Sequence, residues 1–495
     1  MLVAANAGSR RVGSPSERRC LVRVREPERE VDVAAEVDVL VAGAGVAGCA
    51  AAVAAARAGA TTVLLERNGC LGGVATAGLM ANIGNLLTGL DGQPVVNGFP
   101  RELIGRMAAR GAASGEWACR EVPGVVIDSE QLKVVLAEFQ EEAGVEVLTH
   151  TLAARPVMEG DAVRGAFIES KSGRQAVLAK AVVDCTGEAD LARQTGCPMR
   201  WSVGSASVEF KMGRVDLDAL YQHFRRHPDT FPVGMDMVKG FAEFERNWVE
   251  RGIFFFPHGG GTKWDIFLRA IERGEFVPEQ GVLHNLHAAG MYGLRDTDQV
   301  VINSNFWRVE TLDTRTVSRA ELECQKACCY VADFFRRRVP GFSNAYISEI
   351  ASDIGIRASW GIEGVATLRD EHRDGPQPAL FDDVIGCEPA RASFEKTGEF
   401  FQPRTFDIPY GILVPQKVDG LLVGSAKSVS CVYQGLIRGM VGCMTCGQAA
   451  GAAAALAARK GVEPRALGIR GLQRLLIEQG VRLGPPERLR ELGLS

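Results

Sequence analysis

The chain has 495 residues, of which 46% are hydrophobic and 23% are charged, as in an ordinary globular protein of two or three domains. Its net charge of −4 gives no general attraction to nucleic acid or to anionic membranes. The 13 cysteines lie mostly inside apolar runs, which indicates reduced, buried thiols in a cytoplasmic protein.

Residues 1–35 are polar and carry charges of both signs, and they lack the apolar core of a signal peptide. We predict a mobile N-terminal tail there. No segment is predicted to span a bilayer, because the most apolar stretches are rich in alanine and are broken by glycine or charge. The sequence therefore predicts no membrane partner.

The first structured unit is predicted just after this tail. A short apolar run at 38–42 fits a buried strand, and Gly43, Gly45 and Gly48 follow it in the G-x-G-x-x-G spacing. In such a turn the first glycine allows the tight bend, the second lets a pyrophosphate approach the backbone, and the third lets helix and strand pack closely. An alanine-rich helix is predicted to follow, and its free N–H groups would face the phosphates.

Glu66 ends the second predicted strand of this unit, at 62–65. An acidic side chain in that place accepts the ribose hydroxyls of an adenosine. A carboxylate there also repels a 2′-phosphate, which argues against NADP. Strand, glycine turn, helix, strand and terminal acid together predict a dinucleotide-binding unit.

The chain continues with a small-residue loop at 68–78 that can lie flat against a planar ligand, followed by an α/β pattern. The elements predicted after this loop are helices at 101–110 and 130–143, a strand at 145–148, a β-meander of segments near 153–157, 163–169 and 175–180, and a buried strand at 181–185.

Aromatic residues become frequent after about residue 201, and we interpret this region as an inserted substrate domain. A last strand is predicted at 420–423, and a long helix at 442–459 follows it. The predicted divisions are a tail at 1–35, a cofactor domain in two parts at 36–200 and 399–460, a substrate domain at 201–398, and a helical appendix at 461–495.

Four blocks of the chain resemble bacterial FAD-dependent oxidoreductases of the glutathione-reductase-like superfamily. They are the opening unit, LGGVATAG at 71–78, AVVDCTGEAD at 181–190, and the segment from FDIPYGILVP to CMTCGQAAGAAAAL at 406–456. The resemblance covers nearly everything from 37 to 460. It implies an α/β fold, in which a Rossmann-like FAD-binding domain carries an inserted α+β substrate domain, and it implies FAD as the cofactor.

The resemblance also implies a role for each block. Glu66 would hold the adenosine ribose, and a helix start at Gly447 would receive the pyrimidine edge of the flavin, where its dipole stabilises negative charge. The predicted cofactor-binding residues are Gly43, Ala44, Gly45, Val46, Ala47, Gly48, Glu66, Arg67, Gly72, Gly73, Val74, Ala75, Thr186, Gly187, Asp190, Gly424, Gly447, Gln448 and Ala449.

Two departures from the family pattern affect the catalytic candidates. Relatives often carry an Arg-x-x-Arg-Arg string where this chain keeps only Arg357, and a histidine is common where it has Cys431. His258 follows an aromatic run into a glycine loop, where it could donate or accept a proton. The candidate catalytic residues are Cys431, Tyr433, Arg438, His258, Arg357 and Arg308.

Several cysteines and histidines have spacings that resemble those of metal ligands. Cys443-x-x-Cys446 could be a dithiol or a metal pair, and a helix carries Cys324, Cys328 and Cys329. An iron–sulfur cluster needs about four convergent thiolates, and these spacings match no familiar run. Buried thiols are the interpretation that we favour, so no metal site is predicted.

The sequence thus predicts an FAD-dependent oxidoreductase that passes a hydride between a small organic substrate and flavin N5. The direction favoured is that of a dehydrogenase or oxidase, with O2 or another electron acceptor still to be identified. Three alternatives remain open: a reductase of an activated double bond, an electron-transfer subunit, and an RNA-modifying protein, which the net charge disfavours. A homo-oligomer is also left open. The substrate domain should cover the flavin and bring aromatic residues to it.

Overall fold

The computed structural model describes residues 24–84, 94–114, 124–232, 240–256, 264–275, 283–284, 289–374, 379–390 and 404–494. Its α-helices are α1 (Val46–Arg57), α2 (Phe99–Ala109), α3 (Ser129–Ala143), α4 (Leu217–Arg226), α5 (Phe241–Arg251), α6 (Asp265–Glu272), α7 (Thr314–Arg338), α8 (Asp370–Asp374), α9 (Met440–Lys460), α10 (Ile469–Glu478) and α11 (Pro486–Glu491).

The strands are numbered in chain order. They are β1 (Val33–Ala42), β2 (Thr62–Leu65), β3 (Asn82–Gly84), β4 (Gly124–Val126), β5 (Glu146–Leu148), β6 (Leu152–Glu159), β7 (Ala162–Ser170) and β8 (Gly173–Asp184). The remaining strands are β9 (Met199–Trp201), β10 (Gly204–Ser207), β11 (Phe210–Gly213), β12 (Ile253–Phe256), β13 (Leu283–His284), β14 (Gly290–Leu294), β15 (Val300–Asn303), β16 (Asn305–Val309), β17 (Tyr346–Ile350), β18 (Gly355–Ile356), β19 (Trp360–Ile362), β20 (Val384–Ala390), β21 (Arg404–Pro409) and β22 (Leu421–Val423).

A seven-stranded sheet forms the base of the molecule. Strands β5, β2, β1, β8 and β22 lie side by side in that order and are parallel. The predicted β-meander is confirmed, because β6, β7 and β8 pair antiparallel. The segments predicted separately at 175–180 and 181–185 form the single strand β8, whose first half pairs with β7 and whose second half pairs with β22.

Parallel strands bring their carboxyl ends to one edge of the sheet. Gly43, Glu66, Cys185 and Gly424 directly follow β1, β2, β8 and β22 at this edge. Ligands of open α/β sheets bind in a crevice outside the carboxyl ends of the strands. The topology therefore places the predicted dinucleotide turn and three later blocks along one crevice.

Helices α1 and α9 pack against this sheet in direct backbone contact with each other. A Cβ atom at Gly447 would overlap the carbonyl oxygen of Ala47, and one at Gly451 would overlap that of Ala51. The contacts advance four residues along both helices in the same direction, so the helices run parallel. Glycine at these positions removes the side chains that would hold the backbones apart.

The start of α9 differs from the prediction. The helix begins at Met440, two turns before Gly447, so the expectation that Gly447 lies at a helix N-terminus is wrong. Because Gly447 packs against Ala47, α9 extends past the start of α1 by about six residues, or ~9 Å at the usual rise of a helix.

Helix α9 also corrects the expectation that no segment could span a bilayer. By length and composition alone, Met440–Lys460 is long and apolar enough to cross a membrane. In the structure 94% of its most apolar window is buried inside the protein. Its apolar composition is therefore accounted for by its place in the core.

The second lobe contains a four-stranded sheet, β13-β16-β10-β18, and a five-stranded sheet, β12-β14-β15-β11-β17. Its aromatic residues pack mainly into its own core, where Phe254, Phe256 and Trp264 are completely buried. Phe224 and Phe244 join them in edge and tilted ring contacts. The expectation that such rings surround the flavin is wrong for this group, because they fill the lobe interior.

The two hydrophobic cores show how the chain divides. The lobe core runs from Ala206 to Ile354 and also receives Leu79 from the first part of the chain. The core of the large sheet takes in Ile362 and the segments that follow it, together with the C-terminal helices α10 and α11. The predicted helical appendix at 461–495 therefore contributes buried side chains, among them Leu472 and Leu476, to the cofactor domain.

We expect Gly447→Ala to destabilise the protein by about 1–3 kcal/mol, because the new methyl group would force α9 away from α1. Gly105→Ala is the matched control, since this glycine also lies inside a helix but faces open space. The control should stabilise by about 0.5–1 kcal/mol through its better helix propensity. Urea unfolding of both variants measures the difference, and equal midpoints would contradict the proposed packing.

Candidate active site

A cleft of about 590 Å³ lies between the carboxyl edge of the large sheet and the second lobe. The turns after β1, β2, β8 and β22 and the start of α9 form its sheet-side wall. The ends of β10 and β15, the region around β18 and one face of α7 form the lobe-side wall. Two predicted domains thus meet at the crevice that the strand order indicates.

The glycine turn after β1 forms part of the cleft surface. Gly43 has a φ of +91°, and a Cβ there would lie 2.7 Å from the carbonyl oxygen of Cys185. Gly45 caps the start of α1, and no atom lies within 4 Å of the place where its Cβ would be. It leaves open space in front of the free N–H groups of the helix, as an anion site requires. Gly48 instead packs against Gly43 behind this surface.

Glu66 is fixed by backbone donors at one end of the cleft. Its Oε2 accepts a hydrogen bond from the Ala44 amide at 2.8 Å, and its Oε1 accepts one from the Asn68 amide at 2.8 Å. Burial raises the pKa of the carboxyl group, and the two amides oppose that shift. Each oxygen keeps a lone pair that can accept from a hydroxyl group.

The structure brings many of the predicted cofactor residues together. Those that line the cleft are Gly43, Gly45, Val46, Ala47, Glu66, Arg67, Gly72, Gly73, Val74, Thr186, Gly187 and Asp190. The others do not line it, and they are Ala44, Gly48, Ala75, Gly424, Gly447, Gln448 and Ala449.

Two of the residues outside the lining have clear packing roles. Gln448 Oε1 accepts a hydrogen bond from the Phe99 amide at 2.9 Å, which ties α9 to the start of α2. A Cβ at Gly424 would lie 2.7 Å from Cys185 Sγ, so this glycine lets the turn after β22 pack against the end of β8.

Asp184 holds the turn at Thr186 in place. The carboxylate is completely buried at the end of β8 and accepts hydrogen bonds from the amide and hydroxyl groups of Thr186, at 3.0 and 2.7 Å. It also accepts from the amides of Leu191 and Ala192, at 3.0 and 2.9 Å. Four donors to one buried carboxylate make this turn a rigid part of the cleft wall.

Two cations, Lys427 and Arg67, connect the walls of the cleft. Lys427 pairs with Glu188 and also donates to the Ile356 carbonyl at 3.1 Å. Arg67 pairs with Asp353 at 2.6 Å. Sequence reasoning missed Lys427, Glu188 and Asp353, because no local pattern signals a partnership between charges so far apart in the chain.

Arg357 and Arg438 are the two predicted catalytic residues that line the cleft. The Arg357 guanidinium stacks over the Phe306 ring at 4.7 Å, and its Nη2 donates to Asn303 Oδ1 at 3.4 Å. The pKa of Arg357 is lowered to about 10, mainly by burial; Glu209 acts to raise it, and the nearby positive charge of Arg438 acts to lower it. Arg357 therefore stays charged at neutral pH.

Glu209 and Asn303 were missed by sequence reasoning. Glu209 is 3% exposed, and burial raises its pKa to about 8 although Arg357 acts to lower it. Asn303 is completely buried at the end of β15. The sequence contains one signal for Glu209, because this acid lies between Val208 and Phe210 in an otherwise apolar strand pattern.

The remaining catalytic candidates lie elsewhere. Cys431 and Tyr433 do not line the cleft: the Cys431 thiol donates to the Tyr433 carbonyl at 2.9 Å, and Tyr433 is 54% exposed. Burial raises the pKa of Cys431 to about 12, which makes it a poor nucleophile. Arg308 forms a surface ion pair with Glu310 at 3.1 Å. His258 lies outside the described residues.

The cysteine groups carry no sign of a metal site. Cys324 and Cys328 are completely buried in the lobe core, whereas Cys329 is exposed. Cys443 reaches the cleft lining and Cys446 points into the core. Within the ranges that the structure describes, no group of three or more His, Cys, Asp or Glu side chains could hold a metal ion.

The cleft contains an unusual set of buried polar atoms without partners in the described part of the chain. Buried polar atoms are normally hydrogen-bonded, so these atoms are available to bond water or a bound molecule. They are Asn82 Oδ1, Glu209 Oε2, Asn303 Nδ2, Glu321 Oε1 and Arg357 Nη1.

Comparison with known proteins identifies the family of the chain. The sequence profile of the family described as FAD dependent oxidoreductase matches residues 38–476. The chain belongs to this family. It is an FAD-dependent oxidoreductase, with the Rossmann-type parallel sheet and the added lobe predicted from the sequence.

One curated relative is the digeranylgeranylglycerophospholipid reductase of Methanoculleus marisnigri, which is 31% identical over 207 residues. The match covers 40% of this chain and 51% of the relative, so this FAD-dependent oxidoreductase spans about half the length of that enzyme.

Two solved structures are similar over most of the chain. One is a geranylgeranyl bacteriochlorophyll reductase-like protein from Thermoplasma acidophilum, with 14% identity, a TM-score of 0.41 and coverage of 90% of this chain and 87% of that one. The other is the flavin-dependent brominase Bmp2, with 13% identity, a TM-score of 0.44 and coverage of 90% and 83%.

The cleft fits FAD at three points. The open space at Gly45 would receive the pyrophosphate at the start of α1, and Glu66 would accept the adenosine ribose hydroxyls. The start of α9 lies further along the cleft beside Arg438, where it would stabilise negative charge on the flavin. A side chain at Gly45 would fill the space that the phosphates need.

We expect the cofactor released from the purified protein to be FAD, and Glu66→Ala to weaken FAD binding about 10- to 100-fold. The magnitude follows from the loss of hydrogen bonds to a charged group, worth about 1.5–3 kcal/mol. Glu146→Ala removes an exposed acid on neighbouring β5 and serves as the control. Mass spectrometry identifies the cofactor and fluorescence titration gives its affinity. Release of FMN, or equal affinity in both variants, would contradict the assignment.

Proposed function

We propose that this FAD-dependent oxidoreductase removes a hydride from a small anionic organic substrate, as a dehydrogenase or oxidase. The observation that carries the proposal is the presence of two arginines, Arg357 and Arg438, in the cleft at the end that the start of α9 forms. Both residues line this cleft, and each adds positive charge to it.

The environment of Arg357 favours an anion as its partner. The guanidinium is held by Phe306 and Asn303, and among the residues that the structure describes its Nη1 has no hydrogen-bond partner. A carboxylate placed against a guanidinium forms charge-assisted hydrogen bonds that are about twice as strong as neutral ones. A substrate carboxylate would therefore bind here and would offset the cost of keeping this cation buried.

Bound FAD and different parts of the chain have separate roles in the proposed reaction. Bound FAD supplies the redox chemistry, since its N5 accepts a hydride from a substrate carbon. The start of α9 and Arg438 provide positive potential at the same end of the cleft, where negative charge develops during the reaction. Lys427, through the Ile356 carbonyl, and Arg67, through Asp353, connect the lobe to the sheet side of the cleft.

A second candidate function is the reduction of an activated double bond, because the partly matching archaeal relative is a reductase. The two directions differ in what reduces the flavin. A substrate that bleaches the flavin without an added reductant supports the dehydrogenase or oxidase, with O2 or another compound as the final electron acceptor. We also propose a cytoplasmic location, since the cysteines among the described residues are all free thiols.

Anaerobic mixing with a panel of small carboxylates, alcohols and amines tests the proposal. We expect carboxylates to bleach the visible absorbance of the oxidised flavin. Bleaching by uncharged compounds alone would reject an anionic substrate. Bleaching that needs an added reductant, followed by reoxidation with an unsaturated compound, would favour the reductase.

We expect Arg438→Ala to leave FAD bound and to slow flavin reduction about 100-fold, because a donor that stabilises transition-state charge is typically worth ~3 kcal/mol. Arg308→Ala is the matched control, since Arg308 makes only an exposed ion pair, of the kind that contributes little. Stopped-flow reduction by the most active panel compound measures both rates. A normal rate in Arg438→Ala would refute its role.

A further inference from the structure

The two sheets of the lobe meet in the wall of the cleft. Strands β10 and β11 follow each other directly, as do β15 and β16, and each pair passes from one sheet to the other. Ser207 is in register with Phe306, and Phe210 is in register with Ile302. Two residues on one side therefore oppose three on the other, which is the pattern of a β-bulge.

Glu209 and Asn303 occupy this bulge, and both line the cleft. Bulges reorient side chains and are common beside active sites. The hydrogen bond from Arg357 Nη2 to Asn303 Oδ1 assigns the oxygen of this amide, so its Nδ2 is the group that has no partner in the described ranges of the chain.

The bulge and the neighbouring arginine together offer a defined set of unpaired atoms. Arg357 Nη1 and Asn303 Nδ2 are donors, whereas Glu209 Oε2 is an acceptor when the carboxyl group is ionised. A ligand that satisfies all three must accept at one end and donate at the other. A carboxylate next to a hydroxyl or amino group has this arrangement.

Building on the proposed function, we propose that the substrate is a 2-hydroxy or 2-amino acid, whose carboxylate binds Arg357 and Asn303 and whose O–H or N–H proton passes to Glu209. Glu209 is then a catalytic residue, and Asn303 determines specificity for the carboxylate.

The step balances in atoms and electrons. The C–H bond at carbon 2 breaks, and the hydrogen leaves with the electron pair to the flavin, which is reduced by two electrons. The proton on the neighbouring oxygen or nitrogen goes to Glu209 Oε2 and later to solvent. A C=O or C=N bond forms, so the acid is oxidised to its 2-oxo or 2-imino form.

The surroundings of Glu209 suit proton transfer near neutral pH. Burial raises its pKa to about 8, and Arg357 is the charged group that faces it. Arg438 and Tyr292 face Arg357 in turn. A base with a pKa close to the working pH combines a useful ionised fraction with a favourable driving force.

A panel in three parts separates this proposal from the broader one. The parts are 2-hydroxy and 2-amino acids in both enantiomers, carboxylates with no O–H or N–H on carbon 2, and uncharged alcohols and amines. We expect anaerobic bleaching in the first part. Bleaching in the second part only would overturn the substrate class and leave the proposed function standing. Bleaching in the third part only, or in none, would overturn both.

Glu209→Gln tests the proton acceptor with the compound that responds. We expect flavin reduction to slow about 100-fold or more, with FAD content unchanged. In the natural protein the second-order rate constant should rise about tenfold per pH unit up to about pH 8, because the base must be ionised. In the Glu209→Gln variant this rise of the rate constant with pH should be absent.

Glu349→Gln is the matched control. Glu349 lies on β17 across from Lys211, pairs with it at 3.1 Å and does not line the cleft. Its rate and pH profile should equal those of the natural protein. An unchanged pH profile in Glu209→Gln would overturn the role of Glu209.

Binding of the corresponding 2-oxo acid, measured by calorimetry, gives a result that does not depend on turnover. Asn303→Ala and Arg357→Lys should each weaken binding about tenfold or more, because each removes a donor to the carboxylate. Glu209→Gln should retain binding within a few fold. If Asn303→Ala and Arg357→Lys bind the 2-oxo acid normally while folding with full FAD content, the carboxylate site is wrong.

Discussion

The contact between α1 and α9 is the constraint on which the site depends. Gly447 and Gly451 let the two backbones touch at Ala47 and Ala51, which fixes the relative position of the helices along their axes. Because α9 starts earlier, its N-terminus reaches a different part of the cleft from that of α1. One packing contact therefore sets the distance between two sites of positive potential, one for phosphates and one for the reacting end of the cofactor.

The second lobe provides a polar cluster on a rigid apolar support. Val208 and Phe210, which flank Glu209, belong to the same core as the phenylalanine and tryptophan rings around Phe254, which are packed without access to water. A medium of low polarisability strengthens electrostatic interactions and makes each unpaired charge costly. The same burial that shifts the pKa of Glu209 upward shifts that of Arg357 downward, so the pair is poised to respond to a charged ligand.

Local patterns were sufficient for the first unit of the cofactor domain. The unit from β1 to Glu66 follows from spacing, since each of its residues acts within a short stretch of chain. Glu209, Asn303 and Lys427 could not be found in this way, because their roles arise from contacts between distant segments. The aromatic run near Phe254 was wrongly predicted to lie beside the flavin. Large rings pack equally well in a buried core and around a ligand, and composition does not distinguish the two. The Gly447 region was misplaced because glycine marks close helix packing as well as helix ends.

Strand β8 has a consequence for how the chain folds during synthesis. Its second half is flanked by β1, which is made early, and by β22, which is made only after the whole lobe. The chain is synthesised at ~5–20 residues per second, so Leu421 is made on the order of tens of seconds after Val182. Until then the edge of β8 at Val182 stays unpaired. An exposed parallel edge is a template for incorrect pairing. The lobe core, from Ala206 to Ile354, is synthesised within this interval, so the insertion completes its own core while the edge that it interrupts is still open.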